Sequence, residues 1–528
     1  MTRSSRTNAS PLFFRGMSIR FAIVMLSAGL PCGVFAKEAS APLREQQPGR
    51  LNVVFILADD LGWAETGCYG QKKIPTPNID RLAAGGMRFT QHYSGAPVCA
   101  PSRCVLMTGR HLGHAEIRGN RPVRLTFPEF DEGQHPLSRG ARTLAQAFQR
   151  LGYATGAMGK WGLGPVGSTG DPNDKGFDLF VGYNCQTVAH SYYPPHIWRN
   201  REKVIINAKP ISGHLPADAV ISGEVRLEDY LGETYAPQLL IDAAVDFVDR
   251  NSDRPFFLYC PFVEPHVAMH PPKADVDKFP TDWDEEPYRG QCGYLPHPRP
   301  RAGYAAMISR LDGYVGRILD ALDRTGVTDR TLVIFSSDNG TTCPHAGDKR
   351  LHVGGVDARF FDSTADLRGY KGSVYEGGIR VPTIARLPGR IPAGSVSDVP
   401  GYFADWFPTL CDAVGLDRPE GLDGESLWTV LTEGAVPQKR KPMIWVFPES
   451  GGQVAVRMGD YKLVRQDLKT DSPGPWEVYD LRSDRSEKNN LAADQSELIQ
   501  RVEELLREEV DENALFPVPI PGVNVAVE

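Results

Sequence analysis

Residues 51–60 read Leu-Asn-Val-Val-Phe-Ile-Leu-Ala-Asp-Asp. An apolar run of this length, closed by two acidic residues, predicts a buried strand over 51–58 with Asp59 and Asp60 at its carboxyl end. The same figure recurs along the chain. Tyr153-Ala-Thr-Gly-Ala-Met158 leads into Gly159-Lys160-Trp161, Phe256-Phe-Leu-Tyr-Cys-Pro-Phe262 into Pro265-His266, and Thr331-Leu-Val-Ile-Phe-Ser336 into Asp338-Asn339-Gly340. Helical patterns fall between them, at 142–151, 236–250 and 304–324. Strands alternating with helices predict an α/β fold, a large and mostly parallel sheet sandwiched by helices. Ligands of such sheets bind outside the carboxyl ends of the strands. Each polar cluster alone is ordinary loop chemistry. Four clusters with matching chemistry at one edge designate a site.

The pattern changes after residue 436. Met443-Ile-Trp-Val-Phe447, Val454-Ala-Val-Arg457, Tyr461-Lys-Leu-Val464 and Trp476-Glu-Val-Tyr-Asp-Leu481 read as short strands, with a turn at Gly459-Asp460. With an amphipathic helix over 496–510 they predict a smaller C-terminal antiparallel sheet packed by one helix. The chain therefore divides into residues 51–436 and a subdomain of 437–528. At the other end, Arg15 and Arg20 flank Met17, Phe21–Leu30 is apolar, and Val34-Phe35-Ala36 fits a cleavage site. Residues 1–36 read as a signal peptide, too short in its apolar part for a membrane span, so the mature chain is expected in the periplasm or outside the cell.

Composition is that of a globular enzyme, with 41% hydrophobic and 23% charged residues. The formal net charge of −7 gives no support for nucleic-acid binding. An anionic substrate would then need a local basic pocket. Nine cysteines occur without any Cys-x-x-Cys spacing, so neither a zinc site nor a dithiol redox pair is predicted.

Adjacent like charges at Asp59 and Asp60 are costly unless a cation or strong donors sit between them. Asp338 and Asn339 bring a second oxygen-rich pair, and hard oxygen ligands suit Ca²⁺ first, with Mg²⁺ as the other choice. Residues 99–110 read Cys-Ala-Pro-Ser-Arg-Cys-Val-Leu-Met-Thr-Gly-Arg. A helix beginning near Pro101 would set Cys99 just before its amino end, where free N–H groups and the helix dipole favour an anion.

Cys99-Ala-Pro-Ser-Arg103 with Leu106, Thr108, Gly109 and Arg110 resembles the signature of the type I, formylglycine-dependent sulfatases, within the alkaline-phosphatase-like superfamily. The resemblance extends over about 51–480 and includes Asp405, Pro408-Thr-Leu410 and Asp423-Gly-Glu-Ser-Leu427. It implies that a formylglycine-generating or sulfatase-maturing enzyme oxidises Cys99 to formylglycine, whose hydrate attacks sulfur. It implies a single divalent cation on Asp59, Asp60, Asp338 and Asn339, with the nucleophile at 99 completing the set. Arg103 matches the arginine that orients the hydrate. Lys160, in Gly-Lys-Trp-Gly-Leu-Gly164, and Lys371, in Leu367-Arg-Gly-Tyr-Lys371, match the two sulfate-binding lysines, and His266 matches the acid for the leaving alcohol. At Gly162 the family carries a histidine, so the base of the second half-reaction is not supplied from that position.

The segments Gly182-Tyr-Asn-Cys-Gln186, Tyr192-Tyr-Pro194 and Ile197-Trp-Arg-Asn200 resemble exported bacterial sulfatases acting on sulfated sugars. They imply a galactose or N-acetylgalactosamine sulfate as substrate. His111, His114, Arg118, Asn120, His345 and His352 are candidates to line the sugar subsites, and Arg110 either reaches the site or makes a surface salt bridge. Two other readings stand beside this one: a phosphate or phosphonate monoester hydrolase of the same superfamily, and a non-catalytic protein that binds sulfated glycans.

Overall fold

Val53, Phe55 and Leu57 point into one hydrophobic core, and Val54, Ile56 and Ala58 into another. A strand buried on both faces must lie inside a sheet covered by helices on both sides. The computed structural model, which describes residues 50–216, 219–342 and 353–522, has that arrangement. Its ten-stranded sheet contains, in chain order, β1 (Asn52–Ala58), β2 (Met87–Phe89), β3 (Ala154–Lys160), β4 (Leu179–Tyr183), β5 (His196–Arg199), β6 (Glu202–Ile205), β7 (Phe256–Pro261), β8 (Thr331–Ser337), β9 (Thr383–Arg386) and β10 (Ser395–Ser397). Across the sheet the order is β10-β2-β9-β8-β1-β7-β3-β4-β5-β6. Strands β8, β1, β7, β3 and β4 form a continuous parallel centre. Antiparallel pairs flank it, β9 with β8 and β2 on one side, β5 with β4 and β6 on the other.

The main helices are α1 (Cys99–Thr108), α2 (Leu144–Arg150), α3 (Ala236–Asn251), α4 (Pro300–Arg324), α5 (Phe403–Val414) and α6 (Ser496–Glu509). Cys104, Phe148 and Trp406 from α1, α2 and α5 pack with Val53 and Phe55, while Leu240 and Leu311 from α3 and α4 pack with Val54 and Ile56. Thr143 starts α2 through a capping box with Gln146. Pro300 starts α4, four residues ahead of the expected Tyr304, because its fixed φ suits a first helical turn. Helix α1 likewise begins earlier than expected, at Cys99 itself, after Val98 in extended conformation. It ends at Gly109, whose φ of 66° admits the left-handed cap.

Beyond residue 436, β11 (Met443–Phe447), β12 (Gln453–Met458), β13 (Tyr461–Arg465) and β14 (Glu477–Asp480) form an antiparallel sheet in that order. Alternation again divides its residues. Ile444, Val446 and Val456 pack with Val502 and Leu506 of α6, while Trp445 and Phe447 join the core of the large sheet. A wholly buried ion cluster reinforces that junction, with Lys462 Nζ 2.9 Å from both Glu376 and Glu487.

Candidate active site

The loops after β1, β3, β7 and β8 converge at the carboxyl edge of the sheet, and α1 enters with its amino end. Continued extended chain would send Asp59 and Asp60 to opposite faces. Asp60 instead adopts a φ of 66°, a region that non-glycine residues seldom occupy. The turn brings ligand atoms of Asp59, Asp60, Cys99 and His266 within 4.8 Å of one another.

Cys99 Sγ donates to Asp59 Oδ1 at 3.3 Å and lies 3.4 Å from Lys160 Nζ. Lys160 Nζ in turn donates to Asp59 Oδ2 at 2.6 Å. Arg103, one turn into α1, donates from Nε and Nη2 to Asp338 Oδ2 at 3.1 and 2.8 Å, and from Nη1 to the Lys160 carbonyl. Lys371 Nζ donates to Asp60 Oδ2 at 2.6 Å and to His266 Nε2 at 3.1 Å. His266 Nδ1 bonds the Val267 carbonyl, which leaves Nε2 as the acceptor facing Lys371. The structure thus brings together all the candidates Asp59, Asp60, Cys99, Arg103, Lys160, His266, Asp338, Asn339 and Lys371.

Three carboxylates, Asp59, Asp60 and Asp338, face three cations, Arg103, Lys160 and Lys371, nearly all without solvent contact. Burial alone would raise the Asp59 and Asp60 carboxyls, but Lys160 beside the first and Lys371 beside the second hold both below the usual range. Asp338 is pushed up to about 7 by burial and by the Asp59 charge, against the pull of Arg103. Burial and the Asp59 charge push the Cys99 thiol well up. Burial and the Lys371 ammonium push His266 down to about 4.

The residues fit a hard divalent cation. Asn339 Nδ2 donates to Asp60 Oδ1 at 2.7 Å, while Asn339 Oδ1 is buried with no hydrogen-bond partner. A buried carbonyl oxygen left unpaired beside three carboxylates is the donor a Ca²⁺ or Mg²⁺ shell uses. Thr342, absent from the sequence-based candidates, also donates to Asp60 Oδ2 at 3.1 Å.

The expected sugar-lining residues mostly lie elsewhere. His111 and His114 follow the carboxyl end of α1, a helix about 15 Å long, so they stand at its far end from Cys99. Their stacked rings, 4.2 Å apart, bond Asp423 and Glu509 and tie α1 to α6. His111 Nδ1 accepts from Gly113 N, which places the proton on Nε2 and makes that nitrogen a donor rather than a metal ligand. Arg118 donates to the carbonyls of Ala115, Gly113 and Asp511, and Arg110 makes a surface pair with Asp511. Asn120 does return to the site, where Oδ1 accepts from Ala100 N at 3.1 Å. His345 and His352 lie outside the described residues, as does the expected signal peptide. Tyr192 and Tyr193 are core residues, and Tyr192 donates to the Val263 and His266 carbonyls. Sequence reasoning missed His190, whose ring stacks on His266 at 4.2 Å and 15°. The one hint was its place shortly after a strand.

A buried cysteine lined by carboxylates and lysines at the carboxyl edge of an α/β sheet is an arrangement suited to a hydrolase of anionic esters. Comparison with known proteins narrows it. The sulfatase family model matches residues 51–416, and the model for the C-terminal part of N-sulphoglucosamine sulphohydrolase matches 369–514. The chain belongs to the sulfatase family, whose members hydrolyse sulfuric esters. It is 30% identical over 450 residues to N-acetylgalactosamine-6-sulfatase of Canis lupus familiaris, covering 84% of this chain and 74% of that protein. It is 31% identical over 435 residues to steryl-sulfatase of Mus musculus, and there it spans 72% of this chain and 65% of that protein. The crystal structure of Ps i-CgsB in complex with k-i-k-neocarrahexaose superposes with a TM-score of 0.70 at 26% identity, over 88% of this chain and 94% of that one.

Proposed function

We propose that the protein hydrolyses sulfate esters on sugars, with formylglycine made from Cys99 as nucleophile and one Ca²⁺ or Mg²⁺ on Asp59, Asp60, Asp338 and Asn339. The observation that carries this reading is the position of Cys99. Its Sγ sits at the amino end of α1, 3.3 Å from Asp59 and 3.4 Å from Lys160. Converted and hydrated, residue 99 would supply one hydroxyl to sulfur and a second whose ionisation would expel sulfate and restore the aldehyde, and a cation held by Asp59, Asp60, Asp338 and Asn339 would supply positive charge to a sulfate oxygen.

The rest falls to fixed side chains. Lys160 and Lys371 flank the position the sulfate would take and stabilise its charge without reorganising, usually the largest catalytic contribution. Arg103 holds Asp338 toward the cation position. His266 and Lys371, 3.1 Å apart, deliver the proton to the departing alcohol oxygen. No imidazole stands at Gly162, so the proton lost in sulfate release passes to another group.

The name of the N-acetylgalactosamine-6-sulfatase relative supports a galactose or N-acetylgalactosamine sulfate as substrate. Export and a maturing enzyme acting on Cys99 belong to the same reading. Among the described residues no helix is long and apolar enough to cross a membrane. Mass spectrometry of the peptide carrying residue 99, from protein made with a maturing enzyme, should show the aldehyde, and Cys99→Ala should release no sulfate. Full turnover by Cys99→Ala would overturn the nucleophile. Faster cleavage of an aryl phosphate or phosphonate than of the matched aryl sulfate would reassign the substrate class.

A further inference from the structure

The residues after β4 carry polar groups with no partner in the protein. Asn184 is 1% exposed and neither its Oδ1 nor its Nδ2 is hydrogen-bonded. Gln186 is 4% exposed, and its Nε2 is likewise unpaired. Buried amides are nearly always satisfied, so two within three residues call for a ligand. Nothing in the local fold needs them. The backbone here is held separately, by Gln186 N donating to Gln134 Oε1 at 2.8 Å and by a single helical turn over Gln186–Ala189.

Their position is fixed by sheet register. Lys160 pairs with Tyr183 across β3 and β4, and Trp161 N donates to the Tyr183 carbonyl at 2.8 Å. Lys160 ends β3, and Asn184 is the first residue past the end of β4, the strand paired beside it. Gln186 folds back over Gly162, where its Nε2 lies 3.0 Å from the point a Cβ would occupy. Gly162, with a φ of 75°, leaves that space open. Four residues further on, His190 stacks on His266. The segment thus runs from Gly162, two residues past Lys160, to the ring of His266.

The chemistry of this segment differs from that of the charged cluster. Lysines and a cation recognise the charge of a sulfate group. A neutral carboxamide with a free donor and a free acceptor complements a hydroxyl, which also both donates and accepts. We propose that Asn184 and Gln186 form a hydroxyl-reading subsite that selects sulfate esters with a free hydroxyl on the same sugar ring. This rests on the sulfatase reading and specifies its substrate class. It makes the specificity of the site a matter of uncharged hydrogen bonds beside a charged anchor.

The experiment compares kcat/KM on a galactose or N-acetylgalactosamine sulfate, its monodeoxy analogues and 4-nitrophenyl sulfate. One deoxy analogue should lose about tenfold or more with wild-type enzyme, since an unmatched polar site discriminates strongly. Asn184→Ala and Gln186→Met should lose about tenfold on the parent sugar, and their penalty for that analogue should collapse to about threefold or less. Their loss on the aryl sulfate should be at least tenfold smaller than on the sugar. Asn184→Leu, which keeps the volume of the side chain but has neither donor nor acceptor, should reduce the same penalty and serves if Asn184→Ala folds poorly. An undiminished deoxy penalty in these variants, or equal losses on sugar and aryl substrates, would overturn the subsite. Wild-type enzyme active on every sugar sulfate with no deoxy penalty would overturn it while leaving the sulfatase reading intact. Wild-type enzyme inactive on all sulfates would instead overturn the sulfatase reading, and the subsite with it.

Discussion

Removing the cation should lower the melting temperature by a few degrees, and the site geometry sets the scale. Asp59, Asp60 and Asp338 have no solvent contact to speak of, and each is already paired with one of Lys160, Lys371 and Arg103. A divalent ion therefore gains three carboxylates and the unpaired Asn339 Oδ1 but meets three fixed positive charges, which favours moderate affinity over an extreme one. Ion at about 100 times its dissociation constant stabilises the folded state by about 2.7 kcal/mol. A folded unit spanning residues 46–528 unfolds with an entropy near 1 kcal/mol per degree, so the shift is about 3 °C. Scanning calorimetry of protein stripped with chelator and then titrated with Ca²⁺ or Mg²⁺ reads it directly. Asp338→Ala leaves Arg103 buried without the carboxylate oxygen that accepts from both Nε and Nη2, which by itself costs about 3–5 kcal/mol. The informative quantity for that variant is thus the response to added ion, expected to vanish, and not its baseline. Asn339→Ala breaks no ion pair but removes the donor to Asp60 Oδ1, so its baseline should fall by about 1–3 kcal/mol, and it should need about tenfold more ion for the same shift. A melting temperature that chelator and added ion leave unchanged, with no stoichiometric metal by elemental analysis, would refute the assignment.

Two other outcomes follow from the same geometry. His266→Ala should slow sugar-sulfate hydrolysis by about 10²–10⁴ and hydrolysis of an activated aryl sulfate far less, because a sugar alkoxide needs its proton where a nitrophenolate does not. Equal losses in kcat/KM would make His266 a binding residue. Lys462→Met strands Glu487 in a buried junction, while Glu376 keeps Arg380, and should cost about 3–5 kcal/mol in denaturant unfolding, with most recovered by adding Glu487→Gln. Burial raises Glu487 to about 7 even with Lys462 present, so its charged form opposes folding once pH passes the ordinary value of 4.5. Without Lys462 the Glu487 carboxyl is pushed higher still, so the variant's loss relative to wild type should deepen as pH rises above about 7, and a difference that stays flat there would exclude Glu487 as the cause.

The central strands were legible because burial on both faces leaves an unbroken apolar run, as in Val53–Ala58 and Leu332–Phe335. The short strands on one flank of the sheet were not. Met87–Phe89, Thr383–Arg386 and Ser395–Ser397 are three or four residues long, and Met87–Phe89 pairs with partners about 300 positions away, which no local pattern encodes. At the site, Asp59, Asp60, Asp338 and Asn339 announced themselves by like-charge chemistry at strand ends, and Cys99, Lys160, His266 and Lys371 by motif. His111 and His114 misled because nearness in sequence to Cys99 was read as nearness in space, when α1 carries the chain away in between. Asn184 and Gln186 lay within a segment singled out by resemblance, Gly182–Gln186, but neither was named as a binding group, and His190 had no motif at all. Only the register of β4 against β3, the packing of Gln186 on Gly162 and the stacking of His190 on His266 bring them beside the site.

Cys99 is 1% exposed, and α1, which begins with it, is buried along all but its last residue. An enzyme that oxidises this thiol must draw the surrounding segment into its own active centre, and a helix packed beneath the sheet cannot be extended for that purpose without unfolding the core. Chemistry on residue 99 by another protein therefore belongs to the interval between emergence of the segment and closure of the fold. A chain that folds first is committed, with its thiol sealed between Asp59 and Lys160. The proportion of active molecules would then be decided by a race between folding and modification, and slowing the folding of the unmodified chain should raise the active fraction without altering a single contact in the finished site.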